Sequence, residues 1–107
     1  MNITPSIKKI LLEWLYEVSC HYHIEVSILQ HAENLLDRFD TMNIVDIKMN
    51  DYQLIGCVIL NLALKYLDDE KEIPIDEWCY LTSNSYEKKD FIKMEMFVLQ
   101  TLDYNIN

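Results

Sequence analysis

Apolar positions recur with a helical period through most of this chain, and one stretch departs from that pattern by lacking a polar face. Within YQLIGCVILNLALKY, Tyr52 to Tyr66, the only polar side chain between Leu54 and Leu64 is Asn61. A helix that is apolar on every side has to be buried on every side. About a dozen such residues are too few to cross a bilayer, which takes roughly 20. The pattern therefore predicts the central helix of an all-α domain, with Asn50 and Asp51 supplying a cap and an acidic first turn. Gly56, the one glycine of the chain, falls inside this helix. A mid-helix glycine costs about 1 kcal/mol against alanine, and a second helix crossing closely at that point is the expected compensation.

The other elements follow from the same periodicity. Thr4 and Pro5 are placed as N-cap and first residue of a helix, along which Ile7, Leu11, Trp14 and Val18 form a stripe. Leu12, Leu15 and Tyr16 widen it beyond one core face, so the helix reads either as wholly packed or as leaving part of the stripe open as a docking patch. A second helix is predicted from about Ser27 to Phe39, with Leu29, Ala32, Leu36 and Phe39 inward and the Asp37-Arg38 pair resembling ordinary surface charge. The stretch from Asp68 to Glu72 reads as a solvated acidic turn. Pro74 introduces a short fourth helix, Ile75 to Leu81, and Thr82 to Ser85 has loop chemistry. The last helix, about Glu87 to Leu102, carries Phe91, Met94, Val98 and Leu102 on one stripe, with Ile92 and Leu99 beside it. Glu95 lies between those two, on an apolar face, where a carboxylate must find a partner or shift its pKa. Lys65, the charge that ends the central run, is the natural partner.

Composition narrows the function classes. A chain of 107 residues with 50% apolar and 25% charged positions is expected to form one domain over residues 1–107. A net charge of −9 argues against direct nucleic-acid binding and against an anionic membrane surface, and favours basic partner surfaces. Cys20, Cys57 and Cys79 are odd in number and far apart, so neither a disulfide framework nor a zinc spacing emerges. Cys20-His21-Tyr22-His23 lacks a second ligand pair, and His21, His23 and His31 lack a partnered nucleophile. With no glycine loop to cradle phosphate, neither catalytic residues nor a metal or cofactor is expected, and the chain reads as a non-enzyme. The expected protein is intracellular, in nucleus or cytoplasm, and monomeric when free.

Four segments in order carry a resemblance. IKKILLEWLYEV resembles the opening helix of the cyclin box, whose pattern is MRAILVDWLVEV, and LLDRF at 35–39 resembles its second-helix signature. YQLIGCVILNLALKY is similar to the third helix, and YEKKDFIKMEMFVLQTLDYNI to the fifth. The resemblance runs from about Ile7 to Ile106 and implies a five-helix cyclin box around a buried central helix. It also implies a regulatory subunit that binds and activates a cyclin-dependent serine/threonine kinase, in cell-cycle control. The family's kinase-facing Lys–Glu pair corresponds to Lys65 and Glu95, and the surrounding face to Leu62, Tyr66, Met96, Leu99, Tyr104 and Ile106. The family's substrate-docking patch, which takes short basic and leucine-bearing peptides, corresponds to Ile7, Leu11 and Trp14. Its structural Arg–Asp pair corresponds to Lys8 and Asp37, and its glutamine-leucine step to Gln53-Leu54.

Three departures qualify the resemblance. Lys8 stands in place of arginine and loses the bidentate fork, so its pair with Asp37 should be looser. Leu67 replaces an acidic position of the family. The family usually adds a preceding helix and a second box, so the chain is expected to be either a fragment or a compact single-box protein. Two other readings stay open: a cyclin-fold transcription-associated factor, which basic surface would favour, and an orphan cyclin-like domain whose Lys65–Glu95 pair is only structural.

Overall fold

The first helix begins where its capping residues stand. The Ile7 N–H donates to the Thr4 hydroxyl at 3.2 Å, Pro5 occupies the first turn, and α1 runs Pro5–His21. The computed structural model describes residues 3–67 and 72–107, so most of the expected acidic turn, residues 68–71, lies outside the described residues. Four more helices follow: α2 Val26–Met42, α3 Met49–Leu67, α4 Ile75–Leu81 and α5 Lys88–Thr101. No strand occurs among the described residues, and the architecture is the expected all-α bundle.

α3 is the axis of the molecule. Every residue from Leu54 to Leu64 is buried except half-buried Asn61, and α2, α5 and α1 pack around it. Asn61 is satisfied from both sides: its Nδ2 donates to the Ile73 carbonyl at 2.9 Å, and the Ile73 N–H donates to its Oδ1 at 3.1 Å. The lone polar group of the run thus ties the segment entering α4 to the central helix. α3 starts earlier than its pattern suggests. The Asp51 N–H already donates to the Lys48 carbonyl, so Asn50 lies inside the first turn and is not the cap, while Asp51 is the acidic first-turn residue.

The glycine has the expected neighbour. A Cβ on Gly56 would meet Leu11 of α1, with Cδ1 only 2.8 Å away. Gly56→Ala should therefore gain about 1 kcal/mol of helix propensity and lose about 1–3 kcal/mol by displacing Leu11 in a packed core. A net loss in a urea melt is the expected outcome, and a net gain would show that Leu11 moves freely.

Two stripes differ from expectation. Ile92 is exposed, so Glu95 is flanked by solvent on one side rather than embedded in the core. On α2, Ile28 and Leu35 are buried while Leu29 is half-buried, which rotates the inner face slightly from the expected one.

The one glycine lies inside α3, so no described helix can end on a glycine. α1, α4 and α5 each close with paired bonds from the next two N–H groups, as in Ile24 N–H to Ser19 O and His23 N–H to Cys20 O. The residues that take the left-handed position there are His23 (φ 56°), Ser83 (φ 54°) and Asp103 (φ 53°). A left-handed L-residue costs roughly 1–2 kcal/mol, part of which glycine would lose again to chain entropy. His23→Gly and Ser83→Gly should each stabilise the fold by about 0.5–1 kcal/mol, read as a higher denaturation midpoint. An unchanged midpoint would mean that these ends are not strained.

Candidate functional site

α3 and α5 pack so that Lys65, in the last turn of α3, meets Glu95 of α5. The Lys65 Nζ donates to Glu95 Oε1 at 2.9 Å and lies 3.3 Å from Glu72 Oε1. Lys65 and Glu95 keep 38% and 34% of their side-chain surface in solvent. Burial alone would lower the lysine's pKa, but the Glu95 hydrogen bond and the charges of both carboxylates outweigh it and raise it. Glu72 was missed in the sequence, because it belongs to no helical register shared with either partner.

Of the residues that the resemblance assigns to the same face, Tyr66, Met96 and Tyr104 are exposed, while Leu99 and Ile106 are half-buried. Leu62 is not a surface residue: at 3% exposure it belongs to the core, since it sits on the wholly enclosed length of α3. The segment bearing Tyr104 and Ile106 is held by side chains from elsewhere. His31 Nε2 donates to the Ile106 carbonyl at 2.7 Å, and Arg38 donates to the carbonyls of Asn107, at 2.9 Å, and Asn105. Tyr66 Oη donates to Asn107 Oδ1 at 2.7 Å, and its ring stacks on His31. Arg38 is therefore engaged with the backbone of residues 105–107, not idle surface charge.

A second surface lies at the other end of α3. Ile7, Ile10, Leu11 and Trp14 of α1, with Met49, Tyr52 and Gln53 of α3, line an open groove of about 290 Å³. Ile7 and Trp14 are half-buried, and Leu11, at 6% exposure, is buried. Ile10 was absent from the expected patch, although it lies three residues after Ile7 and four before Trp14, on the same helix face.

Tyr52 links this groove to the structural pair. Its hydroxyl donates to Asp40 Oδ2 at 2.9 Å, and Lys8 bonds Asp37 and also reaches Asp40 at 3.0 Å. The Lys8–Asp37 pair is thus formed, and a second carboxylate, one helical turn further on, shares the ammonium. Burial would lower the Lys8 pKa, but hydrogen bonds to Asp37 and Asp40 raise it. Burial first, then the Asp40 charge, pushes the Tyr52 phenol strongly up, and burial with the Glu77 hydrogen bond pushes Tyr22 up to about 12.

These shifts share a sign. Above about pH 10 the unfolded chain releases tyrosine and lysine protons that the folded chain retains, so stability must fall as pH rises. Below that range their contribution is fully present. Urea midpoints measured from pH 7 to 11 should begin to fall at about pH 9, where the unfolded Cys57 thiol ionises, and drop more steeply beyond about pH 10, and Tyr52→Phe should shallow the steeper part. A level profile to pH 11 would contradict the assignment.

Among the described residues no cluster of three or more His, Cys, Asp or Glu side chains could hold a metal ion, and Cys57 is buried with its thiol pKa raised by that burial. No described helix is long and apolar enough to cross a membrane.

Comparison with known proteins gives these surfaces a context. The model of the cyclin N-terminal domain matches residues 1–107. Cyclin-A3-3 of Arabidopsis thaliana is 33% identical over 108 residues, which cover 98% of this chain and 31% of that protein. Cyclin-A1 of Homo sapiens is 34% identical over 107 residues, covering 98% of this chain and 22% of that protein, and Cyclin-A1 of Xenopus laevis is 34% identical over 98% and 24%. The chain spans between 22% and 31% of the length of these relatives. With five helices among the described residues, three of them packed around a buried α3, and a family match over residues 1–107, this chain belongs to the cyclin family.

Proposed function

We propose that the chain is a non-catalytic regulatory subunit that binds and activates a cyclin-dependent protein kinase. The observation that carries this reading is the Lys65–Glu95 pair, 2.9 Å apart and partly exposed, each member next in sequence to an exposed side chain, Tyr66 and Met96. A partly exposed, hydrogen-bonded charge pair with exposed Tyr66 and Met96 next to it in sequence is suited to a partner that covers both. Activation would arise by population shift: the face fits one position of a mobile kinase helix, the position that brings the kinase's catalytic lysine and glutamate together. The groove at Ile7, Ile10 and Trp14 would hold apolar anchors of a substrate peptide, and the −9 charge would favour basic flanks. Such a role places the chain inside the cell, in nucleus or cytoplasm.

The test is to titrate the chain into a purified cyclin-dependent kinase lacking its cyclin and follow phosphorylation of a peptide. A saturable rise in kcat is the expected result. No rise, together with no complex in sedimentation, would overturn the proposal.

A further inference from the structure

We infer that Arg38 is a positioning residue for the partner-binding face, holding residues 103–107 in the arrangement that presents Tyr104 and Ile106. This rests on the kinase-binding reading and extends it to a side chain that touches no part of the proposed contact itself.

The backbone beyond α5 turns through two consecutive left-handed residues, Asp103 (φ 53°) and Tyr104 (φ 57°). Neither is glycine, so the turn is sterically disfavoured on its own. Its backbone-to-backbone bonds, Tyr104 N–H to Leu99 O and Asn105 N–H to Leu102 O, reach no further than Asn105, and past it the Asn107 N–H donates only to the Asn105 side chain, at 3.3 Å. Beyond that point the three successive carbonyls of Asn105, Ile106 and Asn107 accept from side chains of α2: Arg38 spans the first and third, and His31 takes the second. His31 and Arg38 are seven residues apart, two turns along one face of α2. Tyr66 braces the arrangement from α3 through Asn107 and its stack on His31, at a position adjoining Lys65.

A planar guanidinium is the side chain able to bridge two carbonyls in this way, and an ammonium lacks the fork. The bonds from Arg38 are solvent-exposed, Leu102, the last fully buried residue, precedes the segment they hold, and within that segment only half-buried Ile106 packs on the core. Their loss should therefore leave the core intact and free the segment that carries Tyr104, which is 61% exposed. If the segment is then docked about a tenth of the time, apparent affinity falls about tenfold.

The experiment is calorimetry of the 107-residue chain against the kinase it activates, using Arg38→Ala, Arg38→Lys, Tyr104→Ala, the Arg38→Ala/Tyr104→Ala double variant and Lys65→Ala. Amide exchange is measured alongside. Arg38→Ala should bind about tenfold more weakly with an unchanged melt, and exchange at 104–107 should quicken while α1 to α5 stay protected. In the Tyr104→Ala background the same change should cost about twofold or less, because Arg38 acts through that residue. A merely stabilising role would leave the two changes additive, and additivity overturns the inference. Should Arg38→Ala fail to fold, Arg38→Lys takes its place, and wild-type affinity and protection in it would overturn the inference. If Lys65→Ala weakens binding and the Arg38 variants do not, the kinase reading stands and Arg38 has no part in it. If neither weakens binding, both fall.

Discussion

Lys65→Ala should weaken kinase binding by about 2–5 kcal/mol, because it leaves Glu95 buried and unpaired in the complex, and Glu95→Ala by the lower part of that range, because Glu72 still neighbours the ammonium at 3.3 Å. At about 1.4 kcal/mol per tenfold, that is a loss of roughly 30- to 3000-fold. The free chain should hardly notice. Both side chains keep about a third of their surface in water there, and an exposed pair contributes about 0–1 kcal/mol. The contrast between the two measurements is what marks the pair as an interface rather than a staple. The double variant should cost less than the sum of the singles, since each removes the same interaction. Calorimetry against the kinase, with thermal melts of the free chain, gives every quantity in the cycle. Near-wild-type binding by both singles would sink the interface. Unfolding of the free chain by either would make the pair an internal support.

Leu60→Ala should destabilise the free chain by about 2–5 kcal/mol, through lost transfer energy and the cavity left behind. Leu60 is fully buried on the enclosed length of α3, where other helices limit collapse into the gap. Domains of this size have roughly 5–15 kcal/mol of stability, so the variant should remain folded but lose a large share of it. The radius of gyration, 12.7 Å, is that of a folded chain of this length, about 13 Å, and the wild type should melt cooperatively as a monomer. Denaturant titration should move the midpoint with the slope unchanged. A broad, non-cooperative transition, or an obligate dimer in sedimentation, would oppose this account.

What the sequence disclosed follows from the range of the interactions involved. α1 could be read at its start because Thr4 and Pro5 are local signals, and α4 because Pro74 is another. The central helix declared itself through a run of apolar residues that allows only one kind of environment. That another helix crosses closely at Gly56 was legible because a glycine inside such a helix is costly without a reason, whereas its being Leu11 of α1 was not. The clasp on residues 105–107 was not legible. Arg38 and Asn107 are 69 positions apart, and an Asp-Arg pair near a helix end resembles solvated charge until the fold brings backbone carbonyls to it. Leu62 was assigned to the surface because resemblance transfers a position but not its orientation, and the period of α3 turns that position inward. Ile10 and Asp40 are different cases. Each sits one helical turn from a residue already singled out, Ile7 and Asp37, and the spacing alone could have added them.

α3 carries the groove residues Met49, Tyr52 and Gln53 at one end and Lys65 at the other, and it is packed around its circumference between them. At about 1.5 Å of rise per residue, the thirteen steps from Tyr52 to Lys65 span about 20 Å of rigid rod. Under the proposed function, a peptide seated in the groove and a kinase seated at the ion pair are held at that fixed separation. The benefit to catalysis is then one of effective concentration: a tether of set length raises encounters for substrates whose phosphorylation site lies a matching distance from the docked anchor, and gives nothing to those that cannot span it. The buried helix thereby acts as a ruler, and substrate choice becomes in part a matter of spacing rather than of contacts at the kinase's own cleft.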